Sequence, residues 1–439
     1  MHSTLTRRHF LTRSALAAGA TLAFPALRLS AGSPNGKVNV GFVGVANRAA
    51  ANLEEIAREK DLVNVVALCD VDSTLLAAAK AKHTGAQTYD DFRRLIEQKD
   101  IDAVVVSTPD HVHAVASATA LKSGRHVYCE KPLTRTVSEC RVIQELARKH
   151  KRVTQLGTQI HAGANYRRVV ELVQAQAIGP IHEVHVWVAA VYGGMERPTA
   201  TPPVPPNLNW DLWLGPVEAR PYHPDYAPFK WRNWWAFGGG SIADFGCHFM
   251  DLPHWALDLG HPLSVEPVAG PPVHPESTPT WAIVRYQHPA RPARGTIPAQ
   301  PPVTLTWYHG GKQPAILTEE QAQYFRSGVM FVGEGGMLLA DYTRRQLLPE
   351  KRFEGYKAPA PTIPDSIGHH KEWIQAIRND GTTTCNFDYS GTLTEAALLG
   401  NVAYRLGRKI EWDSKRLVAV NDKAADAFLQ HRYRKGWSL

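Results

Sequence analysis

Between residues 37 and 158 the sequence alternates runs of branched apolar residues with segments of helical spacing, and this alternation constrains the fold more than any other feature. "NVGFVGV", "VNVVALCDVD", "IDAVVVSTP", "RHVYCEKPL" and "RVTQLGT" read as strands. "AANLEEIAREK", "LLAAAKAKH", "HAVASATALKSG" and "SECRVIQELARKH" read as the helices between them. Strands without polar alternation, separated by helices, imply a parallel sheet covered on both faces. The predicted fold is therefore α/β, with a doubly wound Rossmann domain over 37–158.

The first strand ends in "GFVGVANRAAAN", which raises a question of chemistry. A dinucleotide-binding turn is expected to read G-x-G-x-x-G/A, its second glycine letting the backbone approach a pyrophosphate. In that register the three positions are Gly44, Ala46 and Ala49. One methyl group at Ala46 widens the approach but leaves the backbone N–H groups and the helix N-terminus in place. Asn47 belongs to the same turn, and Arg48 adds a cation near the phosphates. Asp70 follows 26 residues after Gly44, at the end of the next strand. A carboxylate there accepts hydrogen bonds from ribose hydroxyls and repels a 2′-phosphate, which favours NAD over NADP. Asp72, two residues on, is the competing candidate.

The second half reads differently. "IHEVHVWVAAVY", "TWAIVRYQ", "PVTLTWYHGG" and "GVMFVGEGGMLLADY" suggest a large, mostly antiparallel sheet, and "HHKEWIQAIRN" and "GTLTEAALLGNVAYRLG" two late helices. The predicted division is an NAD-binding domain over 37–158 and an α+β domain over 159–439, to which the family resemblance described below assigns substrate binding and oligomerisation. Residues 1–32 have the layout of an export signal: Arg7 and Arg8 before His9, Phe10 and Leu11, then a short apolar run from Ala15 to Leu27. That run is too short to span a bilayer, so no membrane insertion is expected once the signal is removed. The formal charge of +8 owes much to Arg7, Arg8, Arg13 and Arg28, and without a Lys/Arg block elsewhere it does not indicate nucleic-acid binding. Five scattered cysteines, none in a CxxC pair, give neither a zinc spacing nor a disulfide framework. His111 and His113, or His369 and His370, could chelate, and Asp244, His248 and Asp251 resemble a ligand set, but no H-E-x-x-H or Cys-rich spacing supports a site, so no metal is expected.

Three further motifs carry chemistry: "STPDHVH" (Ser107 to His113), "EKP" (Glu130 to Pro132) and "GGGSIADFGCHFMD" (Gly238 to Asp251). Asp244 and His248 are four apart, hence one turn apart on one helix face. A histidine titrating near neutrality can take a hydroxyl proton, and a carboxylate can orient it or hold a neighbouring hydroxyl. Lys131 ends a strand, where ligands gather in open α/β sheets. Aromatic residues crowd between Trp210 and Trp235, and aromatic faces pack on sugar rings. Trp231, Arg232 and Trp234 are the candidates for substrate contact, although most of the cluster is expected to fill a core under a long loop.

Together, in this order, the three motifs resemble the Gfo/Idh/MocA family of NAD(P)-dependent oxidoreductases of sugars and polyols. The resemblance covers essentially the whole chain after the signal and is closest to an exported, twin-arginine-signal subgroup. It implies hydride transfer at a secondary hydroxyl of a sugar or glycoside, with Lys131, Asp244 and His248 catalytic. It further implies a cofactor site of Gly44, Ala46, Asn47, Arg48, Asp70, Thr108, Pro109, His113, Glu130, Lys131 and Gln159. Substrate contacts fall to His161, Tyr166, Tyr192, Trp231, Arg232 and Trp234, and a homodimer or homotetramer is implied. Periplasmic export by the twin-arginine pathway would separate the protein from free NAD, so the cofactor is expected to stay bound and be recycled. Two schemes meet that demand: oxidation of one sugar coupled to reduction of another carbonyl compound, or a transient keto-sugar leading to redox-neutral hydrolysis or epimerisation. A non-catalytic NAD- or sugar-binding protein is the third reading.

Overall fold

The structure is a computed structural model that describes residues 36–295 and 297–439; the expected signal over 1–32 lies outside the described residues. Six strands form the first sheet: β1 (Val38–Val43), β2 (Val63–Cys69), β3 (Gln87–Tyr89), β4 (Ala103–Val106), β5 (His126–Cys129) and β6 (Thr154–Leu156). Their order is β3-β2-β1-β4-β5-β6 and every pairing is parallel. The strand order reverses between β1 and β4, which opens a crevice beyond the carboxyl ends of the strands. Every residue of β1 and of β4 is buried, as their unbroken apolar character requires.

The second sheet has nine strands: β7 (Ile181–Val188), β8 (Ser264–Ala269), β9 (Ala282–His288), β10 (Val303–His309), β11 (Gly328–Gly333), β12 (Gly336–Ala340), β13 (Arg345–Leu348), β14 (Ile410–Asp413) and β15 (Val418–Ala419). They run in the order β13-β12-β11-β7-β10-β9-β8-β14-β15, antiparallel except for β7 with β10. Strand β9 buries alternate residues, Ala282, Val284, Tyr286 and His288, so one of its faces looks to the core. The helices Gly240–Phe249 and Phe387–Leu406 pack on that side. The opposite face carries a smaller cluster in which Phe325 covers Trp187, Met330 and Leu339.

One late helix departs from the division read off the sequence. His369–Arg378 turns back onto the first sheet, where Trp373 and Ile374 are fully buried among Val38, Val40, Phe42 and Tyr128. His369 Nε2 meets the Leu156 carbonyl at 2.8 Å, and Gln155 Nε2 donates to the His369 carbonyl at 2.6 Å. The core of the dinucleotide domain is thus completed by a helix from the far end of the chain. The aromatic stretch closes a core of its own, with Trp213, Tyr226, Trp231, Trp234 and Phe237 packed together.

Candidate active site

The glycine turn is shaped by close approach. Gly44 has φ +91°, and a Cβ placed on it would lie 2.6 Å from the Ser107 carbonyl oxygen of the neighbouring strand end. Only glycine fits there. Asn47, at φ 54°, leads directly into the helix Arg48–Ala57. Asp70 is fixed by two backbone donors: Val45 N–H at 3.1 Å and Asp72 N–H at 3.0 Å. Burial raises its pKa above the usual carboxylate value. Asp72 has another task, because its Oδ1 caps the helix Ser73–Lys82 by accepting from the N–H groups of Thr74 and Leu75. The choice between the two carboxylates therefore falls on Asp70.

Glu130 follows β5 directly and collects donors. Asn52 Nδ2 and Gln159 Nε2 each reach its Oε1 at 2.9 Å, and Arg48 Nε lies at 3.2 Å. Burial pushes its pKa up, but Arg48, Lys131 and the Asn52 hydrogen bond outweigh burial and leave it below the ordinary value. Gln159 also donates to Tyr128 Oη at 2.8 Å. The sequence did not single out Asn52; a polar residue buried on the apolar face of its helix, beside Ala49, Leu53 and Ile56, was the available signal.

One residue further, Lys131 is ion-paired with Asp244, and the Lys131–Pro132 peptide is cis. Asp244 lies in the helix Gly240–Phe249, which starts at a glycine whose own Cβ would strike Thr278. Its carboxylate also takes Arg232 Nε at 3.0 Å and the Tyr192 hydroxyl at 2.9 Å. Burial opposes its ionisation, but Lys131 and Arg232 prevail and hold its pKa well below the usual carboxylate range. His248 stands one turn away, its Nδ1 buried without a protein hydrogen-bond partner. Burial, aided by the Lys131 charge, pushes its pKa down to about 3, so the imidazole is neutral at physiological pH. The expectation of a histidine titrating near neutrality is corrected accordingly.

Asp110, absent from the predicted set, belongs to the same charge cluster. It is 2% exposed, its Oδ1 has no protein hydrogen-bond partner, and burial raises its pKa to about 7 against the pull of Arg232. Two neighbouring carboxyls are thus driven apart, one firmly ionised and one protonated near neutral pH, the pattern that separates acid from base roles.

A single cavity of about 520 Å³ joins the glycine turn, Glu130 and the Lys131–Asp244–His248 group, with Asp110 outside its wall. Gly44, Ala46, Asn47, Arg48 and Asp70 line one part, Thr108, Pro109, Glu130 and Gln159 the middle, and Lys131, Asp244, His248, Tyr192, Trp231 and Arg232 the remainder. Four predicted site residues stand behind the wall rather than in it. His113 is buried with its ring nitrogens 2.7 Å from the Pro132 carbonyl and 2.8 Å from that of Thr108, tying the two loops together. His161 faces the Asp251 carboxylate at 3.0 Å and stacks on Trp255. Tyr166 is fully buried and donates to the His248 carbonyl at 3.1 Å. Trp234 is core, its indole N–H donating to the Asp225 carbonyl. Each is an aromatic or imidazole ring whose polar tip is satisfied by backbone or a carboxylate, which spacing in sequence does not reveal. His161, Asp251 and Cys385 bring one potential ligand atom each to within 4.8 Å of one another; Asp251 there already accepts the Tyr389 hydroxyl at 2.7 Å.

A parallel sheet with a glycine turn, a backbone-held carboxylate just past β2 and a Lys–Asp–His cluster in one cleft defines a dinucleotide-binding α/β architecture. Residues 38–158 match the oxidoreductase family domain with the NAD-binding Rossmann fold, and residues 183–291 match that family's C-terminal alpha/beta domain. The chain belongs to the Gfo/Idh/MocA oxidoreductase family. Inositol 2-dehydrogenase of Salmonella typhimurium is 31% identical over 150 residues, 34% of this chain and 45% of that protein. Alpha-N-acetylgalactosaminidase of Shewanella oneidensis is 29% identical over 208 residues, 41% of this chain and 45% of that protein. These alignments span under half the length of the relatives they match. The solved WlbA dehydrogenase from Bordetella pertussis, in complex with NADH and UDP-GlcNAcA, superposes with a TM-score of 0.59 at 20% identity, covering 86% of this chain and 99% of that one. At that identity the superposition speaks for the fold. No helix among the described residues is long and apolar enough to cross a membrane.

The residues present fit NAD. The cradle at Gly44 admits no side chain, Asp70 is held by backbone at the cavity wall, and Ala46 adds one methyl group to a turn that is otherwise formed. Gly44, Ala46, Asn47 and Asp70 are the residues that would hold the dinucleotide.

Proposed function

We propose that this protein is an NAD-dependent oxidoreductase acting on a secondary hydroxyl of a sugar or glycoside, with its cofactor held tightly and recycled. The observation that supports it most is Asp244 bound by Lys131, Arg232 and Tyr192 in the cavity that also contains the glycine turn. NAD, when bound, supplies reversible hydride acceptance at the substrate carbon. Asp244 holds Lys131 in place by its ion pair, so that Nζ can donate to the reacting hydroxyl oxygen. Neutral His248, which lines the cavity, can accept the hydroxyl hydrogen. Its low pKa means the proton cannot rest there, which suits transfer onward rather than storage. Trp231, with the Arg232 guanidinium 4.0 Å above its ring, offers an aromatic face and a donor to a sugar ring.

A second reading, redox-neutral glycoside cleavage through a transient keto-sugar, draws support from the alpha-N-acetylgalactosaminidase relative. Twin-arginine export to the periplasm and assembly as a homodimer or homotetramer complete the proposal. The deciding experiment is to purify the protein without added cofactor, denature it, and quantify released NAD(H) and NADP(H) by mass spectrometry. Near-stoichiometric NAD is expected. Empty protein that binds NAD weakly would contradict tight retention and make Ala46 a true impairment.

A further inference from the structure

A second cavity, of about 410 Å³, lies on the other side of the loop that carries Trp231 and Arg232. Arg135, Arg197, Arg220, Arg405 and His431 line it, against two carboxylates, Glu218 and Glu276. Glu276 is committed: it pairs with Arg197 at 2.7 Å and approaches Arg220 at 3.6 Å. Glu218 is exposed. Arg135 and Arg405 have no carboxylate ion-pair partner among the described residues. Both are anchored on one tryptophan. Arg135 Nη1 donates to the Trp235 and Ala236 carbonyls at 3.1 and 2.8 Å, and the Arg405 guanidinium sits 5.0 Å from the Trp235 ring and 4.2 Å from that of Phe428.

The Arg135 Nε and Nη2 atoms are buried without any protein acceptor. The nearest acid acting on Arg135, Glu139, has its oxygens engaged by the Thr136 N–H at 2.9 Å and the Tyr433 hydroxyl at 2.6 Å. Burial and the neighbouring Arg135 charge lower Arg405 to about 10, and burial with the same charge lowers His431 to about 3. Two half-buried guanidiniums that form no carboxylate ion pair carry an uncompensated desolvation cost, which a bound anion would offset.

We propose that this cavity is a binding site for the phosphate or carboxylate group of a small molecule, clasped between Arg135 and Arg405. The planar guanidinium fork suits either oxyanion. The cavity exceeds what a bare oxyanion needs, and the Trp235 ring and the Gly238–Gly239 backbone in its wall leave room for a small body attached to it. Because Trp235 and Gly239 connect Arg232 to the helix of Asp244, an occupant would brace the loop behind the active site.

The test uses NAD-saturated full chain, so that the dinucleotide cleft is filled. Inorganic phosphate and, separately, succinate are titrated by calorimetry, with Arg405→Gln and Arg135→Gln as variants and thermal melting as the control for folding. Saturable one-site binding at about millimolar strength is expected, weakened about tenfold or more in Arg405→Gln, in line with loss of one charge-assisted contact. The preferred probe tells phosphate from carboxylate. Absence of saturable binding for both, or unchanged affinity in a folded Arg405→Gln, overturns the assignment. If Arg135→Gln does not fold, Arg405→Gln, which loses no hydrogen bond to backbone, decides alone.

Discussion

Asparagine placed at each of the two buried carboxyls should give opposite results. At Asp244 the substitution removes the charge that binds Lys131 and Arg232, whose side chains are 11% and 26% exposed. Removing one partner of a buried ion pair costs about 3–5 kcal/mol, and partial solvation of Arg232 argues for the lower end, about 3 kcal/mol. At pH 6 Asp110, with its pKa near 7, is mostly the neutral acid. Asp110→Asn then exchanges one uncharged group for another, and a change within about 1 kcal/mol is expected. Urea unfolding at pH 6, read by tryptophan fluorescence, measures both. With an m near 3 kcal/mol/M, the Asp244→Asn midpoint should drop by about 1 M while that of Asp110→Asn stays nearly still. Retention of NAD should survive both, since neither side chain shapes the glycine turn. Equal losses, or an Asp244→Asn protein as stable as wild type, would refute the charge assignment on which the catalytic reading rests.

Gly44→Ala should purify without NAD, because its Cβ would meet the Ser107 oxygen at 2.6 Å in a positive-φ conformation; a cofactor-loaded variant contradicts the role given to the turn. His111 and His254 are pushed by burial to about 3, whereas the unfolded chain protonates them near pH 6.5. The unfolded state therefore binds more protons between about pH 3 and 6.5, and each histidine lowers stability by about 2 kcal/mol at pH 5. Replacing His254 by Gln should flatten the dependence of the urea midpoint on pH, and an unchanged slope argues against its buried neutral state.

Some of this site could be read from sequence and some could not, for physical reasons. Gly44 and Asp70 were legible because strand, turn, helix and strand fix their relation within 30 residues, and local order suffices. Lys131, Asp244 and His248 were legible through their resemblance to family motifs; what was missed is how Lys131 and burial together hold the imidazole neutral. Asp110 stood in plain view inside "STPDHVH" yet reads as an ordinary helix-start acid until its neighbours across the fold are known. His113, His161 and Trp234 stand behind the cavity wall, and their partners, three backbone carbonyls and the Asp251 carboxylate, leave no mark in the pattern of residues. Arg405 is drawn to Arg135 from 270 positions away, a distance over which periodicity carries no information.

The return of the helix His369–Arg378 to the first sheet also sets a clock. Trp373 fills the dinucleotide domain, yet it is synthesised more than two hundred residues after β6. At about 5–20 residues per second, the six parallel strands wait roughly ten to forty seconds with an unfinished apolar face. A nascent chain in that interval presents Val38, Val40 and Phe42 to any holding chaperone, and a fragment cut at residue 158 would stay in that condition permanently. Completion of the dinucleotide domain's core is therefore an event of the nearly complete polypeptide, set by the docking of a tryptophan rather than by the appearance of the glycine turn.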